Sequence, residues 1–280
     1  MRNIRPGAPG RNFSLANRRE SAILESETVQ PEGGFAVAHA RSRFEMLVGA
    51  EALAKLRRAR VAVFGLGGVG CALAEALARA GVGHVDLVDD DAYSLTNLNR
   101  QLFATTKTLG EDKVTAAAAR LREIDPACEV TEHRLFYLPE TAGEIDLSVF
   151  DYIGDAIDTV AAKLELITRA KAADVPIVSC MGTGNRMDPL GLTVKDIYET
   201  QGDPLARIMR QELRKRGVGS LTVVCSDEPP LGPAADLSEP PETKGATHRP
   251  APGSSPFVPP AAGFAMASLI VRALISRAAE

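Results

Sequence analysis

One short stretch constrains the fold of this chain more than any other: a five-residue apolar run, Arg60–Phe64, that passes through Gly65-Leu66-Gly67-Gly68-Val69-Gly70 into a segment with helical apolar spacing, Val69–Ala80. A buried strand that turns into a helix through glycines is the opening unit of a doubly wound α/β sheet. Glycines let the backbone bend sharply there and come close to a phosphate, which can rest on the free N–H groups of the helix N-terminus. Gly81-Val82-Gly83 stops the helix. A second strand, His84–Val88, then ends in Asp89-Asp90-Asp91. An acid at that place accepts ribose hydroxyls. Glycines and acid together suit NAD as well as ATP.

The rest of the chain keeps alternating short apolar runs with longer helical ones, which predicts a Rossmann-like, mostly parallel sheet with helices on both faces. Helices are predicted over 111–123, 159–173, 204–216 and 261–277, and strands over 128–135, 150–155, 176–180, 193–197 and 221–225. At 280 residues and 45% hydrophobic composition the chain can bury the core of one large α/β domain, or of two small ones. Residues 1–40, rich in Gly, Pro and Arg and with no acid before Glu20, read as a flexible tail, with an organelle presequence as the alternative. Residues 41–280 form the folded domain. Ten of the eighteen prolines fall between Glu228 and Pro260, so that stretch reads as an exposed, mobile crossover before the last helix. The apolar run from Phe257 to Ile275 is broken by prolines and Arg272, and reads as a packed helix rather than a membrane span.

A net charge of −4 gives no global sign of a nucleic-acid or membrane partner. The four cysteines, Cys71, Cys128, Cys180 and Cys225, never form a C-x-x-C pair, which argues against a tetrathiolate zinc site and for a reduced, cytoplasmic setting. Cys180 and Cys225 are read as buried strand-end residues, with a thioester or sulfur-carrying role as the alternative.

What separates ATP from NAD is the segment after the acid. Ser94-Leu95-Thr96-Asn97-Leu98-Asn99-Arg100-Gln101 follows it, and Lys113 lies thirteen residues beyond Arg100. Cations over the phosphate end have no use in hydride transfer. Adenylation needs them, because charge develops on the α-phosphate and on departing pyrophosphate. Asp158, just past a later strand, lies on the ligand side of such a sheet and could carry magnesium.

The run GLGGVG, LVDDD, SLTNLNRQ, LGEDKV and DAIDTV resembles the adenylation domain of ThiF, MoeB and the ubiquitin-activating enzymes. That resemblance implies ATP and Mg2+ as cofactors. It makes Gly65, Gly67, Gly68 and Gly70 the phosphate loop, gives Asp89 to the ribose, brings Asp91, Asn97, Arg100 and Lys113 to the phosphates, and makes Asp158 the magnesium-side acid. It also implies a homodimer in which Arg43, placed just before the first helix, reaches the neighbouring subunit's ATP. Further segments, among them VPIVSCMGTGNRMDP, DIYETQGDPLARIMRQELRKRGV and GSSPFVPPAAGFAMASLIV, resemble the TcdA (CsdL) branch, whose members are tRNA threonylcarbamoyladenosine dehydratases. The partner so implied is tRNA carrying threonylcarbamoyladenosine, with sulfur-relay (cysteine desulfurase) proteins as further candidates.

Two groups of residues are assigned to the substrate. Asn185 and Arg186 follow a strand on the ligand side, where a tight turn is the competing explanation. Residues 207–216 carry five cations against one acid, and Arg207, Arg210, Arg214 and Lys215 are taken to meet tRNA phosphates. The rival functions are activation of a small sulfur-carrier protein, a non-catalytic partner subunit, and NAD-dependent oxidoreduction.

Overall fold

In the computed structural model, which describes residues 38–232, 234 and 252–276, the predicted strands assemble into one seven-stranded sheet. The chain divides into two units, Met1–Ser42 and Arg43–Glu280, and the sheet belongs to the second. The predicted tail lies almost wholly outside the described residues, as does most of the crossover.

Two helices, α1 (Ser42–Val48) and α2 (Ala50–Arg58), lead into β1 (Arg60–Phe64), α3 (Gly68–Ala80) and β2 (His84–Val88). There follow α4 (Lys113–Ile124), β3 (Glu129–His133), β4 (Tyr152–Asp155), α5 (Val160–Ala172) and β5 (Ile177–Cys180). The chain ends with β6 (Leu192–Asp196), α6 (Pro204–Lys215), β7 (Thr222–Ser226) and α7 (Val258–Ser276). The strand order is β3-β2-β1-β4-β5-β7-β6, parallel throughout except for β6, which runs antiparallel to β7 at the edge. Strand order reverses beside β1, between β2 and β4, and the crevice beyond the carboxyl ends of the strands opens there.

Alternation along β1 shows how the sheet makes two cores. Val61 and Val63 pack with α2, α3, α4 and α7, while Ala62 and Phe64 pack on the opposite face with α5, α6 and residues 137–150. Every residue from Val61 to Phe64 is fully buried, as expected for a strand covered on both faces.

Two sequence expectations need correction. The last helix starts at Val258, not residue 261, with Pro259 and Pro260 inside its first turn. Proline is tolerated there because the first N–H groups of a helix have no intrahelical acceptor to lose. Along the described end of the crossover Ser255, Val258, Pro259 and Pro260 are buried, while Pro252, Gly253, Pro256 and Phe257 are exposed. Arg43 lies within α1 instead of before it. Among the described residues α7 is the one helix long and apolar enough to cross a membrane, and its apolar side packs on α3, where Gly263 comes so close that a Cβ would sit 2.2 Å from the Val69 carbonyl oxygen.

Candidate nucleotide site

The crevice at the strand ends is a cavity of about 630 Å³. Its near wall is the glycine loop. Gly65 has φ +87°, and a side chain there would meet the Ala156 carbonyl at 2.7 Å. A Cβ on Gly70 would lie 1.7 Å from the Gly65 carbonyl oxygen, so the first helical turn closes back on the strand end. Gly67, the N-cap of α3, has nothing within 4 Å of a hypothetical Cβ. This open position faces the cavity at the helix N-terminus, where a phosphate is best received.

Asp89 and Lys113 stand behind the loop. The Asp89 carboxylate accepts the Leu66 N–H at 2.6 Å and the Asp91 N–H at 2.9 Å, tying the acid to the glycine loop. Lys113 opens α4 and is 6% exposed; its ammonium lies 2.9 Å from Asp91 Oδ2 and 3.7 Å from Asp89 Oδ1. Burial pushes the Asp89 carboxyl above its ordinary range against the pull of Lys113. Burial would push the Lys113 ammonium down, but Asp89 and then Asp91 outweigh it and hold it above its ordinary value. Lys113 therefore stays cationic at neutral pH.

Asn97 is buried in the short turn that follows. Its Oδ1 accepts the Ser94 N–H at 3.1 Å, which turns its NH2 group to other acceptors. Arg100 is braced by the Thr96 carbonyl at 2.8 Å and by Asn99 Oδ1 at 3.1 Å. Asp158 is exposed at the rim, two residues before α5, with only the Thr159 hydroxyl near it at 3.3 Å. Among the described residues no cation pairs with it. Asp89, Asp90 and Asp91 also bring three carboxylates within 4.8 Å, but Lys113 already neutralises part of that group. A metal accompanying a triphosphate fits Asp158 better.

The opposite wall comes from the end of β5 and the chain after it, Cys180 to Gly184, together with Leu205. Asp203 anchors this wall: its carboxylate accepts the Gly182 N–H at 2.9 Å and caps α6 through the Ala206 N–H at 2.9 Å. The end of the crossover roofs the cavity with Pro252, Ser254 and Pro259; the Asn99 amide donates to the Ser254 carbonyl at 2.9 Å.

The structure thus brings Gly65, Gly67, Gly68, Asp89, Asp91, Asn97, Arg100, Lys113 and Asp158 to one cavity, with Gly70 behind the loop. It does not bring the other assigned residues there. Asn185 has φ +57° and holds both ends of the crossover: its N–H donates to the Gly253 carbonyl at 2.7 Å, and its carbonyl accepts the Leu231 N–H at 2.8 Å. Arg186 is buried against the Glu228 carbonyl. On α6, Arg207 is exposed, Arg210 binds Thr200, Arg214 stacks 4.9 Å over the Tyr198 ring, and Lys215 pairs with Glu212 at 2.6 Å. Arg43 is exposed on α1 and does not line its own chain's cavity.

The cysteines are all buried. Burial pushes the Cys180 thiol up to about 12 and the Cys71 thiol up to about 11. Neither offers a thiolate at neutral pH. Sequence reasoning missed Leu135, Phe136 and Tyr137, which line the cavity from the loop after β3. It also missed Asp155 and Lys163 beneath its floor.

Residues 39–272 match the ThiF family. The tRNA threonylcarbamoyladenosine dehydratase of Bacillus subtilis is 40% identical over 241 residues, spanning 85% of this chain and 95% of that protein. The solved AMP complex of the Escherichia coli tRNA N6-threonylcarbamoyladenosine dehydratase, TcdA, superposes with a TM-score of 0.75 at 31% identity, over 87% of this chain and 98% of that one. The ATP complex of the same protein gives a TM-score of 0.73 at 31% identity, over 86% and 98%.

Proposed function

The chain belongs to the ThiF family, and on that premise we propose that it is an ATP-dependent tRNA threonylcarbamoyladenosine dehydratase, like the Bacillus subtilis relative it matches across 95% of that protein's length. The observation that carries the reading within the molecule is the buried Lys113, held cationic by two acids at the mouth of a glycine loop. That is a fixed positive charge where a phosphate would lie.

The reaction follows from the residues. ATP takes the crevice with its phosphates on Gly65, Gly67, Gly68 and the N-terminus of α3, and its ribose toward Asp89. The threonyl carboxylate of the modified base attacks the α-phosphate, forming an acyl–phosphate bond as pyrophosphate leaves. Lys113, Arg100 and the Asn97 NH2 group stabilise the charge that builds on the phosphates, with Asp91 holding Lys113 in place. The neighbouring carbamoyl group then attacks the acyl carbon through its own heteroatom, loses a proton and expels AMP. The nucleophile is already tethered, so this step gains from proximity and needs no enzyme thiol. Mg2+ fits Asp158, whose carboxylate faces the cavity without a cationic partner; when bound it would neutralise phosphate charge.

Burial of all four cysteines supports a thiol-free route and leaves a sulfur-relay partner no acceptor on this chain. Activation of a carrier protein is not favoured: the zinc cysteine pairs of such enzymes are missing from the sequence. The proposal includes a cytoplasmic homodimer in which Arg43, on a helix that also exposes Met46 and Leu47, reaches the other protomer's cavity. Arg207 and Arg214 are assigned to tRNA phosphates. Arg210 and Lys215, already engaged, and Asn185 and Arg186, which clamp the crossover, would act by shaping the substrate side.

Incubation with ATP and tRNA carrying threonylcarbamoyladenosine, followed by nucleoside mass analysis, should show loss of one water from that nucleoside with release of AMP and pyrophosphate. Pyrophosphate release that needs a carrier protein's C-terminal Gly-Gly and ignores tRNA would overturn the assignment.

A further inference from the structure

Beneath the cavity floor, Asp155 at the end of β4 and Lys163 in α5 form an ion pair at 2.9 Å with both side chains at 0% exposure. Burying two charges costs so much desolvation that such a pair is weak evidence for stability; a packed apolar pair often does as well. Its bonds point instead to one residue, gripping the peptide groups on both sides of it. Asp155 Oδ1 accepts the Ile157 N–H at 3.2 Å, and the Lys163 ammonium donates to the Ile157 carbonyl at 3.0 Å. Ser179 donates its hydroxyl to Asp155 Oδ2 at 2.6 Å, fixing the carboxylate from β5. One residue earlier the Ala156 N–H donates to the Phe64 carbonyl at 2.8 Å, and the Ala156 carbonyl lies against Gly65. The chain is therefore pinned at 156 and 157, immediately before Asp158 and Thr159 reach the cavity.

We propose that the Asp155–Lys163 pair is a positioning device that aims the otherwise exposed Asp158 at the cation accompanying the triphosphate. The inference rests on reading the cavity as a MgATP site. Asp155 and Lys163 touch no ligand; they act through Asp158, as groups behind a metal ligand do, where their loss costs on the order of tenfold or more in metal affinity.

The test is binding of a fluorescent ATP analogue to the full chain as Mg2+ is titrated, with binding in EDTA as the reference. Lys163→Met should raise the Mg2+ concentration for half-saturation about tenfold and leave binding in EDTA unchanged. Asp158→Asn should raise the Mg2+ requirement by a similar factor, and the two together should add less than about a factor of two, because both remove one interaction. Asp155→Asn with Lys163→Met leaves no lone buried charge, so it keeps the test open if Lys163→Met alone does not fold. That folded double variant should show the same shift, and a dehydration kcat that falls while KM for tRNA holds. Half-saturation at the wild-type Mg2+ concentration in it, or effects of Lys163→Met and Asp158→Asn that multiply, would overturn the inference, as would failure of both Lys163 variants to fold. A wild-type protein that binds nucleotide with no dependence on Mg2+ sinks this inference but not the nucleotide reading. One that binds no nucleotide sinks both.

Discussion

On one side of the cavity the groups assigned to the nucleotide, Asp89, Asn97 and Lys113, are largely buried and already hydrogen-bonded to backbone or to each other. On the other, the groups assigned to the larger substrate are either free in solvent, as Arg207 is, or spent on the fold, as Asn185 and Arg186 are. The contrast follows from what each side has to meet. Phosphate charge that develops during reaction is best stabilised by dipoles and charges that need not reorganise, which requires burial and bracing. A polyanion that arrives and leaves is better met by solvated cations, whose attraction is long-ranged and screened by salt. The first side should therefore break all at once, and the second should weaken by degrees.

The sharpest way to break the comparison is within the glycine loop. Gly70→Ala puts a methyl 1.7 Å from a backbone oxygen, beyond what repacking relieves, and should cost more than about 3 kcal/mol, read as a collapse of thermal stability and nucleotide binding together. Gly67→Ala, with nothing within 4 Å, should melt within about 1 kcal/mol of the wild type and lose only nucleotide affinity. Next, Lys113→Ala should cut pyrophosphate release by about 10²–10³-fold while the protein stays folded. Unchanged release would remove the site assignment. Since Lys113 is held above its ordinary value, no loss of activity from its deprotonation should appear between pH 7 and 9.

Exchanging Arg207 and Arg214 for Glu should raise KM for tRNA by roughly tenfold and make binding less salt-dependent, with ATP binding in the absence of tRNA unaltered. A salt slope equal to that of the wild type would take α6 out of the tRNA surface. The smallest effect belongs to the thiols. Cys180→Ala should leave turnover within about twofold, at a stability cost of about 1 kcal/mol, and alkylating reagents at pH 8 should fail to label folded protein at Cys180.

The same contrast explains what could be read from the sequence. Strands buried on both faces announce themselves as short apolar runs, and β1 and β2 fall where the sequence puts them, to the residue. Lys113 was legible because its spacing from Arg100 and Asp89 is local and repeats a known pattern. Lys163 was not: a lysine inside a helix reads as a solvated charge, and only the tertiary fold lays it over Asp155. Pro259 and Pro260 were misread because proline ends a helix from within but is compatible with its first turn. Arg210 looked like one more surface cation because nothing in its own helix reveals Thr200, which is brought to it by the turn before α6.

The contact of Pro259 with the glycine loop also bears on how the protein comes into being. A Cβ on Gly68 would sit 2.9 Å from Pro259, and Gly263 lies against the backbone of α3, so the last helix is part of the first structural motif. Synthesis makes that motif some two hundred residues before its lid arrives. A nascent chain released early has strands, loop and acids but no roof, and its apolar α3 face stays bare. Such fragments should bind nucleotide poorly, because the cavity wall that Pro252, Ser254 and Pro259 supply is missing from them.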